Sequence, residues 1–267
     1  MKAKPEIAPL GGDRIAKILA RAGLCSRRAA EQMIQQGRVS VDGEILTSPA
    51  LNVNPAQDIR VDGVRIPSAE PPRMWRYHKP RGVLSTSRDP QGRPTLFEAL
   101  PKDLPRVVSV GRLDFNSEGL LLLTNDGELA RRLELPATGL TRRYRVRAFG
   151  KPGQAALDRL RDGVSIEGVR YGPIHATVER VSGDNCWIGV SLREGKNREV
   201  RNVLAHLGLQ VNRLIRVSYG PFHLGDLKPG QAAEISRDMV MEQLGHYRDK
   251  TGWAKAAPPK KRGVKKK

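Results

Sequence analysis

At 267 residues and 39% hydrophobic content, the chain is long for one simple core and suits one globular domain with a smaller companion. Forty-seven lysines and arginines against 28 acidic residues leave a formal charge of +19. Such a field concentrates polyanions, which makes nucleic acid the expected partner ahead of a merely soluble basic protein. No stretch approaches the roughly 18 apolar residues of a membrane span. The opening MKAKPEIAPLGG lacks the apolar core of a signal peptide, and neither Cys25 and Cys186 nor the five scattered histidines show disulfide-framework or zinc-site spacing. A soluble, cytoplasmic protein without membrane, metal or cofactor is expected, with His78, His206 and His223 structural.

In chain order, residues 1–12 are expected to be a flexible N-terminus. DRIAKILARAG (13–23) then places Ile15, Ile18, Leu19 and Ala22 on one helical face and Arg14, Lys17 and Arg21 on another. Ser26 has the position of an N-cap for a second helix, RRAAEQMIQQ, which stops at Gly37. RVSVDGEIL and IRVDGVRI each predict two short strands about an Asp-Gly turn, Asp42-Gly43 and Asp62-Gly63. This first unit, residues 13–70, resembles the S4 RNA-binding domain, in which Arg27 and Arg28 would face RNA together with the first helix's basic row.

The linker is placed at 71–74, within the Pro-rich PSAEPPRM, and a second domain at 75–247. There RVVSV, GLLLLT, YRVRAF, ATVERV and CWIGVSL are strand-like, while GELARRL, GQAALDRLRDG and REVRNVLAHLG are helical. Without a regular βαβ rhythm, they predict an α+β fold with a mixed, largely antiparallel sheet. Residues 248–267 are read as a disordered basic tail.

Between VVSV and GLLLLT lies the loop GRLDFNSE, and Asn125 to Glu128 has capping-box spacing for the helix GELARRL. A carboxylate at a strand mouth stays ionised if a cation or donors hold it, and arginine is suited to that task. From spacing alone, Asp114 is either half of a structural ion pair or a reactive group.

KPRGVLSTSRDPQGRPTLFEALP, VGRLDFNSEGLLLLTNDGELARRL and LREGKNREVRNVLAHLGLQVNRLIRVSYG are similar, in order and spacing, to motifs of the RsuA/RluB branch of bacterial ribosomal-RNA pseudouridine synthases. With the S4-like front end, the resemblance covers most of residues 13 to 240. It implies that Asp114, in the GRLD motif, is the catalytic nucleophile. Tyr144, in RRYRVR, would be the aromatic that packs against the uracil, and Arg201, in GKNREVR, the basic partner of the aspartate. Lys196 and Arg198 would touch RNA, as would Arg112, Arg142 and Arg216, and Leu214 and Ile215 would form the apolar wall of the uracil pocket. The implied substrate is a uridine of ribosomal RNA, 23S by the resemblance to the large-subunit enzymes, free or in an assembling subunit. A monomer is expected.

Two rival readings differ in class. A metal-dependent nuclease would gather Asp114, Glu118, Asp126 and Glu128 about magnesium. A non-catalytic ribosome-binding protein would use the second domain only as a scaffold.

Overall fold

The computed structural model describes residues 12–54 and 56–244. The expected flexible N-terminus, but for Gly12, and the basic tail lie outside the described residues. The chain divides between Pro71 and Pro72 into two compact units.

In the first unit, β1 (Asp13–Arg14) leads into α1 (Ile15–Arg21) and α2 (Arg27–Gln35). Then come β2 (Val39–Val41), β3 (Glu44–Ile45), β4 (Asn52–Val53), β5 (Ile59–Val61) and β6 (Val64–Arg65). Ser26 is the N-cap of α2, its Oγ accepting from the Ala29 amide at 3.1 Å. The β2–β3 hairpin turns on Asp42 and Gly43, with φ of 51° and 89°, and β5–β6 repeats the device at Asp62 and Gly63. Positive φ at both central residues is what a two-residue hairpin demands, and Asp-Gly supplies it cheaply. The four strands align as β3-β2-β5-β6. Ile15, Leu19, Ala30, Ile34, Val39 and Ile59 are buried together.

The second unit opens with β7 (Met74–Lys79), so the last residue of the expected linker already belongs to a strand. It continues with α3 (Leu96–Ala99), β8 (Val108–Val110), β9 (Glu118–Thr124), α4 (Gly127–Glu134) and β10 (Arg142–Phe149). After α5 (Gln154–Asp158) come β11 (Val164–Ile166), β12 (Val169–Tyr171), β13 (Ile174–Ser182), β14 (Asn185–Leu192) and α6 (Glu199–His206). The last elements are β15 (Gln210–Tyr219), β16 (Phe222–His223), β17 (Ala232–Ile235) and α7 (Arg237–Leu244). The helix read from GQAALDRLRDG changes at Arg159 into a 3₁₀ turn.

One sheet runs β13-β14-β10-β15-β9-β7-β17, with β8 on β9 and β16 on β15. Its β15–β9 pair is parallel and its other pairs are antiparallel, so the fold is α+β with a mixed sheet. All seven residues of β9 are buried, as expected of a leucine run covered on both faces. One face of β13, β14, β10 and β15 packs on α5 and α6 through Val146, Ile188, Leu157 and Leu204. At the other half of the sheet, α4 and α7 cover Leu120 and Leu122. Trp75, Tyr77, Leu121 and Leu123 form a further cluster with Leu96 of α3, and Tyr144 touches both this cluster and the α6 one.

The start of α4 differs from the expected cap. Asp126 is the N-cap, accepting from the Glu128 and Leu129 amides at 2.8 and 3.0 Å, while Asn125 accepts from the Arg73 amide at 2.7 Å. Both short polar residues can cap, and the one facing the helix start takes the role. Among the described residues, no helix is long and apolar enough to cross a membrane.

Candidate active site

The loop between β8 and β9 carries Asp114, and its backbone is held from several sides. Ser85 Oγ donates to the Leu113 carbonyl at 2.8 Å and accepts from the Leu113 amide at 3.1 Å. The Gly111 amide donates to Glu134 Oε1, the Gly82 amide to the Phe115 carbonyl, and Arg201 Nη2 to the Asn116 carbonyl, at 2.7, 2.8 and 2.9 Å. Lys79 Nζ, fully buried, donates to the carbonyls of Pro80, Asp114 and Ser117 at 3.0, 3.2 and 3.0 Å. Burial draws the Lys79 ammonium from the ordinary 10.5 down to about 8, with Asp114 and Glu118 opposing the shift. All these contacts grip the main chain. Among the described residues, the Asp114 carboxylate itself makes no hydrogen bond or ion pair.

Asp114 lines a cavity of about 810 Å³. Tyr144 stands in its wall directly across from Arg216, its cross-strand neighbour on β15, with Leu214 two residues away on the same face. Ile215 lies on the opposite face, packed toward the Leu120 and Leu122 cluster, because successive side chains of a strand alternate. The expected two-residue apolar wall is therefore Leu214 alone.

The basic residues separate into kinds. Arg112 and Arg198 line the cavity with exposed side chains and no protein partner among the described residues. Arg142 also lines it but is a brace: its guanidinium donates to the carbonyls of Arg193 and Glu194 and to the Tyr219 hydroxyl, and stacks on that ring. Lys196 is paired with Glu194 at 2.7 Å. Arg216 is buried and donates from Nε to the Leu120 carbonyl at 2.7 Å.

Arg201 does not grip the aspartate's carboxylate as the resemblance implied. Its two terminal nitrogens serve the Asn116 and Val211 carbonyls, so it braces the loop two residues beyond Asp114. Burial and the neighbouring Arg198 lower its proton affinity, whereas the charge of Asp114 favours its cationic form.

Three polar atoms of cavity-lining residues are buried without a partner: Ser117 Oγ, Glu199 Oε1 and Arg216 Nη2. Burial raises the proton affinity of Glu199. The three residues bring a hydroxyl, a carboxyl and a guanidinium group to the cavity wall. The nuclease reading loses its ligand set, since Glu118 is committed to Arg213 and Asp126 to the α4 cap. No cluster of three potential ligands exists among the described residues.

In the S4-like unit, Arg14, Arg27 and Arg28 are exposed. Lys17 is instead tied to Asp13 at 2.7 Å, and Arg21 is half-buried. Sequence reasoning missed Lys79. The signal was present, since Trp75, Tyr77 and Lys79 alternate along β7 and two of the three are aromatic core residues.

A helix pair with two hairpins, joined to a mixed sheet whose cavity is lined by an uncommitted aspartate and an aromatic, defines a two-domain enzyme architecture. Comparison with known families identifies it: residues 73–206 match the RNA pseudouridylate synthase family and residues 13–59 the S4 domain, and the chain belongs to this synthase family. An RNA pseudouridine synthase of Rickettsia prowazekii is 48% identical over 231 residues, covering 86% of this chain and 97% of that protein. The ribosomal large subunit pseudouridine synthase B of Pasteurella multocida is 42% identical over 250 residues, covering 90% of this chain and 71% of the relative. Its Salmonella typhi counterpart is 46% identical over 221 residues, covering 79% and 75%. A pseudouridylate synthase crystal structure shares the fold, with a TM-score of 0.60 at 24% identity, covering 87% of this chain and all of that one.

Proposed function

We propose that this chain isomerises a uridine of large-subunit ribosomal RNA, the 23S molecule, to pseudouridine, acting as a cytoplasmic monomer with Asp114 as the nucleophile. The carrying observation is the loop whose backbone is held by Ser85, Lys79, Gly82 and Arg201 while its carboxylate is left uncommitted in the cavity. A side chain kept free on a fixed support is arranged for reaction.

The reaction exchanges the N1–C1′ bond of uridine for a C5–C1′ bond; the C5 proton is lost and N1 gains one, so no atom is consumed. Asp114 attacks the sugar or takes its proton, and Tyr144 holds the detached uracil against rotation out of the site. Ser117, Glu199 and Arg216 offer the polar edge that the turning base can engage. A paired uridine must leave its stack to enter, and Arg112 and Arg198 can hold the flanking phosphates. Arg14, Arg27 and Arg28 of the S4 unit add contacts that place the RNA without reading its bases.

The test is Asp114→Asn, nearly isosteric and uncharged, assayed by tritium release from RNA labelled at uracil C5. Turnover is expected to fall below detection while RNA affinity stays within about tenfold. Measurable turnover would remove Asp114 from the nucleophile's role.

A further inference from the structure

The cavity occupies one face of the sheet, and the opposite face of its outer half carries a row of arginines of its own. Along β10, Tyr144, Val146 and Ala148 point to the cavity and core, so Arg143, Arg145 and Arg147 project from the other side, all three exposed. They stand about 7 Å apart along the strand. Across the ladders, Arg147 pairs with Trp187 of β14 and Arg213 of β15, and Trp187 in turn with Arg180 of β13. Cross-strand partners share a face, so five arginines meet on one surface. Its acidic side chains are Glu179, which binds Arg145 at 2.9 Å, and the buried Glu118, which binds Arg213. Arg145 also lies over the Trp187 ring, 4.9 Å from its centre.

Arg143, Arg147 and Arg180 have no protein partner among the described residues. Elsewhere this sheet is covered: α5 and α6 pack on the reverse of these strands, and α4 and α7 on the Leu120 and Leu122 side of β9. Those two helices cover this same face where it continues through Ile215 onto β9, and among the described residues no helix packs on Arg143, Arg147 or Arg180. A sheet face whose exposed positions carry like charges in a row is repulsive to itself, and a polyanion relieves that repulsion.

We infer that this face is a second RNA-docking surface, which takes the sugar-phosphate backbone of a helical segment of the substrate RNA other than the one that delivers its uridine to the cavity. This rests on the proposed RNA substrate and adds to it a size requirement. Because cavity and arginine row lie on opposite faces of the same strands, an RNA must extend around the sheet to use both. Arginines fixed on a rigid strand suit phosphates, since they grip without reading sequence.

The experiment compares the full-length protein with the double variants Arg143→Ala/Arg147→Ala and Arg143→Lys/Arg147→Lys. Each is measured on a short hairpin bearing the target uridine and on a domain-length ribosomal RNA fragment containing it. The alanine variant is expected to turn over the hairpin like the parent protein but to bind the long RNA about tenfold more weakly. Its slope of log K against log salt should flatten by roughly 1.4 to 1.8 for two lost phosphate contacts. The lysine variant, which keeps the charge, should recover most of the affinity. Unchanged binding of the long RNA by the alanine variant would overturn the inference and leave the face to an acidic protein or to solvent. Equal losses on both RNAs would overturn it too, by assigning the two arginines to the cavity's own RNA segment. Failure of the unaltered protein to convert uridine in either RNA would instead count against the proposed function.

Discussion

Replacing Lys79 by methionine keeps the apolar stem and removes the buried ammonium. In the folded protein this group titrates near 8 and in the unfolded chain near 10.5, so the unfolded chain binds more protons between those values. Stability contributed by Lys79 therefore rises with pH: the cost of burying its charge is fully present below about pH 8 and gone above about pH 10.5. Integrating the linkage from about pH 7 to about pH 9.5 gives a gain of about 2 kcal/mol that the methionine variant lacks. The carbonyls of Pro80 and Ser117 would lose a donor in the variant, whereas that of Asp114 keeps the Ser117 amide. Urea unfolding of both proteins, followed through the buried Trp75, provides the assay. Between the two pH values the parent's unfolding free energy should rise by about 2 kcal/mol relative to the variant's, other groups cancelling. A difference that does not change with pH would refute the depressed value and the reasoning built on it.

Two further perturbations address the support of the loop and the seam of the sheet. Ser85→Ala strips the side-chain partner from both the amide and the carbonyl of Leu113, next to Asp114, and should lower turnover about tenfold or more with RNA affinity unchanged; an unaltered turnover number would show that the loop holds its place without Ser85. Gly119→Ala puts a methyl group 2.4 Å from the Arg216 carbonyl at a φ of 104° and should cost several kcal/mol, seen as a large fall in melting temperature. A variant melting like the parent would mean that β9 and β15 can separate freely.

Local chemistry was the part of the fold legible in sequence. Ser26 and the two Asp-Gly turns each act within a few residues, so their type and spacing foretold the α2 cap and both hairpins. The even burial of β9 was legible in its leucines. What depends on distant partners was not. Nothing in GKNREVR says that Arg201 reaches the Asn116 carbonyl, because that contact spans 85 positions of chain. Likewise Arg142 reads in sequence as available to RNA, whereas in the fold its guanidinium is taken up by Tyr219 and the Arg193 and Glu194 carbonyls. Ile215 differs from these, since strand alternation alone separates it from Leu214.

The parallel contact between β9 and β15 joins Glu118 and Gly119 to Ile215 and Arg216, about a hundred residues later in the chain. A ribosome adding roughly 5 to 20 residues per second needs several seconds to make that interval. For most of it, the loop bearing Asp114 exists without Leu214, Arg216 or the brace from Arg201. A nascent chain can thus emerge beside ribosomal RNA before its cavity has a second wall, and competence for chemistry arrives with the last long strand.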